Sequence, residues 1–258
     1  MAAGRLDIRD VSKSYPQEGR PPLTVLSHIG FAVEPGSFVS LVGPSGCGKS
    51  TLLRLILGLD PDYTGDILVD GVRVSGPALS RGVVFQDHRL LPWLTLEQNV
   101  ALSLENARWP ASEKARAVRE HIALVGLRGF EKAFPHQLSG GMAQRAAIAR
   151  GLANRPEILL LDEPLGALDA LTRVRLQAEL QRIWRAEGVT MILVTHDVDE
   201  AIFLSDTVIV MGAGPGRVVE RVTVDLAGER DRSGTDFLAH RRRILRAMDD
   251  AFGHRHAA

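Results

Sequence analysis

The chain has 258 residues, with 31 lysines and arginines against 31 aspartates and glutamates, so its formal net charge is zero. A chain of this length can bury a full hydrophobic core, and its balanced charge offers no broad basic surface, which disfavours nucleic acid as the main partner. The one cysteine, Cys47, excludes an intrachain disulfide and favours a reducing compartment. We expect no secretory signal, because the start MAAGRLDIRD has no apolar h-region. We also expect no membrane span, because the apolar runs are shorter than the ~20 residues that a membrane-spanning helix needs.

The first part of the chain alternates strand patterns with turn residues. LDIRDV and HIGFAVEPG show the alternation expected of strands, and PQEGRPP between them predicts an exposed loop. FVSLVG predicts a buried strand that leads into a glycine-rich loop and then into a helix, KSTLLRLILG. Asp70-Gly71, placed between two apolar runs, predicts a hairpin.

Helical periodicity follows in TLEQNV, SEKARAVREHIALVGL and MAQRAAIARGLA, and it predicts an inserted helical subdomain over about 90–155. ILLLD and TMILVTH predict buried strands on either side of a long amphipathic helix, and DTVIVM with RVVERVTVDL predicts a final strand pair. Strands that alternate with helices imply an α/β fold with a mostly parallel sheet. We predict one domain over 1–225 and a helical extension over 226–258, in which the arginines at 241–243 form a solvated face rather than a lipid contact.

The segment GPSGCGKST fits the phosphate-loop pattern G-x-x-x-x-G-K-[ST] and stands between an apolar strand and a helix. Backbone N–H groups of such a loop wrap phosphates, and the helix N-terminus adds positive potential. Lys49 is predicted to reach the β and γ phosphates of a bound nucleotide, and Ser50 to hold Mg²⁺. The alternative, a chance glycine-rich turn, is disfavoured by the flanking strand and helix. The predicted nucleotide-binding residues of this loop are Gly43, Pro44, Ser45, Gly46, Cys47, Gly48, Lys49, Ser50 and Thr51.

Three other strand ends carry candidate catalytic groups. Asp162 and Glu163 follow ILLL, where Asp162 suits Mg²⁺ and Glu163 suits a base that polarises the attacking water. His196 ends TMILVTH and is predicted to sense the γ-phosphate, while Gln86 follows VVF and is predicted to ligate Mg²⁺ or to orient water. Each of these residues alone is as well explained by an ordinary polar or structural strand end. Together with the phosphate loop they favour hydrolysis over binding alone.

Cys47 lies inside the phosphate loop and near a helix N-terminus, an environment that can lower the pKa of a thiol. We therefore expect thiol alkylation to inhibit the enzyme and bound ATP to protect it. We expect no catalytic role for the sulfur itself.

Five motifs in chain order, GPSGCGKST, VVFQD, LSGGMAQR, ILLLDEPLGALD and VTHD, resemble those of the ATP-binding subunit of an ABC transporter over roughly residues 5–225. The resemblance implies a P-loop NTPase core with a mostly parallel sheet, an N-terminal antiparallel β subdomain and an inserted helical subdomain, which is the ABC ATPase fold. It also implies two copies stacked head to tail. Ser139, Gly140 and Gly141 of one copy would then close on the ATP held by the other, which suits a helix N-terminus because such an end attracts anions.

The same resemblance assigns two residues that no pattern of the chain would single out. Tyr15 matches the position whose aromatic ring stacks on adenine, and Asp169 matches the loop that crosses the dimer interface. Met142 stands where many members have glutamine, and Gly166 where many have serine.

A branch of the family is indicated by LLPW, EPLGALDALTR and GPGR, which resemble importers for nitrate, taurine and aliphatic sulfonates. RLLPWLT and PHQLSGGMAQR resemble the sulfonate branch most. Trp93 in this region is interpreted either as a partner contact or as a buried core residue. Taurine or nitrate import by the same ATPase is the alternative cargo.

The resemblance implies ATP hydrolysis that powers import through two transmembrane permease subunits, with an extracytoplasmic solute-binding protein as an indirect partner. The chain would then lie on the cytoplasmic face of the inner membrane as a peripheral subunit. The alternative from another class is a soluble ABC ATPase, or a nucleotide switch, that is not coupled to transport. A long coiled-coil insert or a second tandem cassette would favour that alternative, and the sequence has neither.

Overall fold

The computed structural model describes residues 3–226 and 230–253. The chain divides into two compact units. We call Leu79–Val189 the helical unit, and Gly4–Ala78 together with the chain from Thr190 onward the phosphate-loop unit. No helix in the described ranges is both long and apolar enough to cross a membrane. Residues 227–229 and 254–258 of the predicted C-terminal extension lie outside the described residues.

Runs of strands and of helices follow one another along the described residues, with strict alternation in the stretch from Ile158 to Gly212. The strands are β1 Leu6–Gln17, β2 Arg20–Val33, β3 Phe38–Val42, β4 Thr64–Val69, β5 Val72–Arg73, β6 Arg81–Val84, β7 Ile158–Asp162, β8 Thr190–Thr195, β9 Thr207–Gly212 and β10 Arg217–Thr223. The helices are α1 Lys49–Leu57, α2 Leu96–Ala101, α3 Ala111–Leu124, α4 Gly140–Ala153, α5 Ala170–Glu187, α6 Val198–Leu204 and α7 Thr235–Gly253.

The phosphate-loop unit contains an antiparallel sheet in the order β2-β1-β4-β5. Its second group of strands runs β10-β9-β3-β8, in which β3 is parallel to both of its neighbours and β10 is antiparallel to β9. Strands β3, β8 and β9 are buried along their whole length, as expected of continuous apolar runs in a parallel sheet. The predicted hairpin is confirmed, because β4 and β5 pair on either side of Asp70 and Gly71.

The loop predicted over PQEGRPP is shorter in the structure. β1 continues to Gln17 and β2 begins at Arg20, so only two residues connect them. Proline is tolerated here because β2 is the edge strand of its sheet and β1 pairs only with β2 beyond Ser12. The segment is exposed, as predicted, but most of it is strand.

The helical unit pairs β6 with β7 in parallel and packs α2 and α3 against α4. Most of α4 is buried because small alanine side chains let neighbouring elements approach from several sides. Thr95 begins α2 with a capping box, in which its side chain accepts from the Gln98 backbone and Gln98 reaches back to the Thr95 N–H. These contacts fix the helices that precede and follow the LSGG segment.

Helix α7 packs its apolar side, including Phe237 and Ile244, onto the core of the phosphate-loop unit. Arg241 pairs with Asp199 at 3.0 Å and Arg243 with Glu220 at 2.6 Å, and both arginine side chains remain about half exposed. The arginine run therefore lies on a solvated helix face, as predicted.

Candidate nucleotide site

The phosphate loop connects β3 to α1 and is shaped by its glycines. Gly46 and Gly48 have φ values of 78° and 94°, which residues with side chains rarely adopt. A Cβ on Gly48 would also lie 2.5 Å from Leu26 Cδ2 and 3.2 Å from the Val25 carbonyl oxygen. Glycine is required at this position, and the resulting loop leads into a helix N-terminus, the arrangement that favours bound anions.

Lys49 is the first residue of α1, and its side chain is almost fully buried within the loop. The ammonium donates to the carbonyl oxygens of Gly43 at 2.8 Å and Pro44 at 3.0 Å, and it lies 3.7 Å from Cys47 Sγ. A positive charge held here, beside the helix N-terminus, can neutralise the phosphates of a bound nucleotide.

A second glycine segment, GPGR at 214–217, packs against β2 and the phosphate loop. The Gly216 N–H donates to the Val25 carbonyl at 2.8 Å, and the Ser27 N–H donates to the Gly216 carbonyl at 2.9 Å. A Cβ on Gly216 would collide with the Cys47 carbonyl oxygen. In the sequence, GPGR indicates only a branch of the family, and no sequence pattern predicts that its second glycine packs against the phosphate loop.

His196 leaves the sheet beside the phosphate loop. β3 and β8 are adjacent and parallel, with Val42 opposite Thr195, so the residues that follow both strands lie at one sheet edge. His196 is exposed there. Asp197 caps α6 by accepting from the Glu200 N–H at 3.0 Å, and the Thr195 hydroxyl donates to the Glu200 carboxylate. These bonds hold the backbone on both sides of His196.

The helical unit brings Gln86 and the two acidic residues to one edge in the same way. β6 and β7 are parallel with Val84 opposite Leu161, so Gln86 follows one strand while Asp162 and Glu163 come at the end of the other. Glu163 has a φ of 46°, an uncommon backbone for a residue with a side chain. Such strain is often found at functional sites, where it aims a side chain.

The Gln86 segment is tied to the helix that follows LSGG. Gln144 of α4 is buried and donates through Nε2 to the Phe85 carbonyl at 3.1 Å. Arg150 of α4 donates to the carbonyls of His88 and Arg89 at 2.8 and 2.7 Å. One helix therefore holds the backbone on both sides of Gln86.

The LSGG segment and Asp169 occupy two neighbouring helix N-termini. Ser139 caps α4 by accepting from the Met142 N–H at 3.3 Å, and Asp169 caps α5 by accepting from the Thr172 N–H at 3.0 Å. Hydrogen bonds from Thr172 lower the pKa of Asp169. A Cβ on Gly141 would lie only 2.6 Å from Thr172 Cγ2. The close approach of the first turns of α4 and α5 therefore favours glycine at position 141. Ser139 and Asp169 are exposed, and this surface presents two sets of helix N-terminal N–H groups.

Tyr15 lies in β1 with its side chain partly buried. Its hydroxyl donates to Asp60 Oδ2 at 3.0 Å. Asp60 belongs to none of the sequence motifs, and it stands 45 positions away along the chain.

The donor types fit Mg²⁺, because the Ser50 hydroxyl, the Gln86 amide and the Asp162 carboxylate all offer hard oxygen atoms. Ser50 belongs to the phosphate-loop unit, and Gln86 and Asp162 belong to the helical unit. The described residues contain no group of three or more histidines, cysteines or acids that could hold a metal.

Trp93 has 68% of its surface exposed, so its interpretation as a buried core residue is wrong. An exposed indole of this size is typical of a surface that meets another protein.

The expectation of a lowered thiol pKa at Cys47 is wrong, because the side chain is fully buried and burial raises its pKa, although Lys49 opposes the shift. We predict that iodoacetamide labels the native protein about 10²-fold or more slowly than the protein in denaturant, since the thiol must first be uncovered. Because Cys47 is the one cysteine of the chain, the adduct mass in intact-protein mass spectrometry reports this site alone. Equal labelling rates in both states would contradict the buried thiol, and protection by ATP stays a prediction.

The chain is similar to known proteins of one family. The family model for the ABC transporter matches residues 26–166, and the chain belongs to this family. It is 50% identical over 233 residues to the aliphatic sulfonates import ATP-binding protein SsuB of Bacillus subtilis, covering 90% of each chain. It is 48% identical over 246 residues to an uncharacterized ABC transporter ATP-binding protein of Methanocaldococcus jannaschii, covering 95% of this chain and 92% of that protein.

Among solved structures, a dimeric ATP-binding cassette in a post-hydrolysis state, bound to ADP and Pi, superposes with a TM-score of 0.73 at 32% identity. The match covers 86% of this chain and 99% of that one. The predicted ABC ATPase fold is confirmed. Within its family the chain is an ATP-binding subunit, an ATPase coupled to transport.

Proposed function

We propose that this subunit powers the import of aliphatic sulfonates. The similarity to the sulfonate import ATP-binding protein of Bacillus subtilis, which extends over 90% of both chains, is the observation that carries the proposal. The sequence features around RLLPWLT and PHQLSGGMAQR support the same branch.

The working form is a head-to-tail pair of identical chains. The phosphate loop of one copy holds ATP, with Tyr15 stacked on the adenine, and the LSGG segment of the other copy meets the γ-phosphate. Asp169 lies along the contact between the two copies. The exposure of Ser139 and Asp169 at adjacent helix N-termini supports this arrangement, because N–H groups that face outward can bind an anion carried by another molecule.

Hydrolysis proceeds by attack of water on the γ-phosphorus. The Glu163 carboxylate accepts a proton from the attacking water while the bond to the β–γ bridging oxygen breaks, which leaves ADP and inorganic phosphate. Lys49 and the loop N–H groups stabilise the negative charge on the phosphates, and His196 and Gln86 orient the γ-phosphate and the water. Ser50, Asp162 and Gln86 are the residues that would hold Mg²⁺, which would supply positive charge to the phosphates.

Dimer closure and reopening drive two transmembrane permease subunits between inward-facing and outward-facing states. Trp93, with the exposed Pro92 beside it, supplies a contact with these subunits. The chain would then act as a peripheral subunit on the cytoplasmic face of the inner membrane, and an extracytoplasmic solute-binding protein would deliver the solute to the permease.

We predict that Lys49→Ala abolishes uptake of a labelled alkanesulfonate by cells that express the intact transport system, because the phosphates lose their main cation. Lys114→Ala is the matched control, since Lys114 is a partly exposed lysine of the helical unit that donates to a nearby backbone carbonyl, that of Glu105. Taurine and nitrate uptake are measured in the same cells. If one of these solutes depends on Lys49 and the sulfonate does not, the cargo assignment is wrong while the transport role stands.

A further inference from the structure

Two residues outside every sequence motif, Lys13 and Asp60, surround the Tyr15 side chain. Asp60 accepts from the Tyr15 hydroxyl through Oδ2 at 3.0 Å and from Lys13 Nζ through Oδ1 at 2.8 Å. The Lys13 ammonium also lies over the Tyr15 ring, 4.6 Å from its centroid. One carboxylate therefore links the aromatic ring to the cation that covers one of its faces.

The Lys13–Asp60 ion pair is largely buried, and burial restricts the conformations of both side chains. Lys13 has only 3% of its side chain exposed and Asp60 has 16%. Burial opposes the charge on Lys13, but the hydrogen bond and ion pair with Asp60 outweigh it and the pKa of Lys13 is raised. Burial likewise opposes the charge of Asp60, but bonds from Lys13 and Tyr15 lower its pKa. Both groups stay charged at neutral pH. Lys13 also donates to the Asp62 carbonyl and lies 3.5 Å from the Asp62 carboxylate, so Asp60 is its more buried acidic partner, and loss of Lys13 would leave the Asp60 carboxylate without its cation.

The three residues are connected to the phosphate loop through β2. Lys13 pairs with Leu26 and Tyr15 with Leu23 in the β1–β2 ladder. Leu26 and its neighbour Val25 are the residues that an added Cβ on Gly48 would strike. The strand beside Tyr15 is thus the strand that packs against the phosphate loop.

These contacts restrict what the Tyr15 ring can do. A hydroxyl bonded to a carboxylate fixes the ring, because a charge-assisted hydrogen bond resists rotation of the side chain. A planar group that stacks on Tyr15 must use the face opposite Lys13. A ring that is already fixed loses little conformational entropy when a base stacks on it, so binding is favoured.

We propose that Asp60 and Lys13 are positioning residues for the nucleotide base: Asp60 holds the Tyr15 ring in its stacking orientation, and Lys13 covers the face that the base does not use. The inference rests on the proposed function, in which Tyr15 contacts adenine. Asp60 and Lys13 would then favour the binding of a triphosphate that carries a base over the binding of a polyphosphate without one.

Tyr15→Phe is the decisive variant, because it removes the bond to Asp60 and leaves both the ring and the buried ion pair in place. We expect the KM for ATP to rise about 3–10-fold, the effect of one lost hydrogen bond, while kcat at saturating ATP changes less than about twofold. The inhibition constant of inorganic tripolyphosphate, which has no base, should not change. Tyr63→Phe is the matched control, because Tyr63 also donates to an oxygen, the Val74 carbonyl at 3.4 Å, and also has a cation, Arg73, near its ring.

The role of Asp60 is tested by a double-mutant cycle. If Asp60 acts through the Tyr15 hydroxyl, Asp60→Asn raises the KM for ATP in the wild-type background and adds little in the Tyr15→Phe background. Additive effects would overturn the assignment of Asp60. Should Asp60→Asn fail to fold because Lys13 keeps only Asp62 as an acidic partner, the Tyr15→Phe measurement still tests whether the hydrogen bond to Asp60 supports ATP binding.

Three other results would overturn the inference, and they separate its failure from that of the proposed function. If Tyr15→Ala raises the KM for ATP but Tyr15→Phe does not, the ring stacks without help from Asp60. If Tyr15→Phe weakens the binding of ATP and of tripolyphosphate equally, the Tyr15–Asp60 hydrogen bond stabilises the fold near the phosphate loop and does not position the base. If neither Tyr15 variant changes the KM for ATP, Tyr15 does not contact the base, and that part of the proposed function fails as well.

Discussion

Glu163→Gln is expected to lower ATP turnover by about 10²–10⁴-fold, the usual loss when a positioned general base is removed. Glutamine has nearly the same shape as glutamate but cannot accept the proton of the attacking water. Nucleotide affinity should remain, because the phosphate loop, Lys49 and Tyr15 are unchanged. Phosphate release measured at steady state, together with equilibrium binding of a fluorescent ATP analogue, checks both parts of the prediction.

Glu157→Gln is the matched control for this experiment. Glu157 immediately precedes β7, the strand that ends before Glu163, and its backbone N–H bonds the Ser80 carbonyl. The control should keep turnover within about twofold, as for a substitution away from the site. A Glu163→Gln protein with nearly wild-type turnover would show that another group acts as the base.

Ser139→Asp is expected to lower ATP turnover by about 10²-fold or more, whereas Ser139→Asn should cost only about a few-fold. Aspartate and asparagine cap helices about as well as serine, so both variants keep the start of α4. They differ by one negative charge, which in the aspartate variant would face the γ-phosphate carried by the other copy. Removal of a single favourable contact to developing charge already costs about 10²–10³-fold, and a repulsive charge should cost at least as much.

The measurement for this pair combines turnover with nucleotide binding to the single chain. Both variants should bind ATP as the wild type does, because Ser139 is not part of the phosphate loop. If the aspartate and asparagine variants lower turnover equally, the loss arises from the helix and not from charge, and the LSGG segment does not meet a phosphate.

The motifs predicted the fold class because they combine local chemistry with strand and helix periodicity. A glycine loop after an apolar strand, acids after another and a long amphipathic helix between buried strands fit few architectures. The sequence predicts too long a loop between β1 and β2, because proline and glycine are general loop signals. Only the sheet order shows that these prolines lie at an edge of the sheet, where no backbone N–H has to donate to a neighbouring strand.

The supporting contacts of the site could not be predicted because they join distant parts of the chain. Lys13 and Asp60 are 47 positions apart, and Gln144 and Phe85 are 59 apart. None of these residues has a local sequence pattern that predicts its partner. Cys47 shows the opposite case, in which a correct local argument from the helix N-terminus is outweighed by burial, a property of the whole fold.

We infer that two copies of the chain complete each nucleotide site, and the size of the Glu163→Gln protein with Mg²⁺ and ATP is the decisive measurement. Sedimentation velocity should show a dimer that forms only with ATP, since slow hydrolysis traps the closed pair. Adding Ser139→Asp should return the protein to a monomer that still binds ATP, and adding Ser139→Asn should not. A Glu163→Gln protein that stays monomeric with bound ATP would contradict the claim, and so would two double variants that dimerise to the same extent.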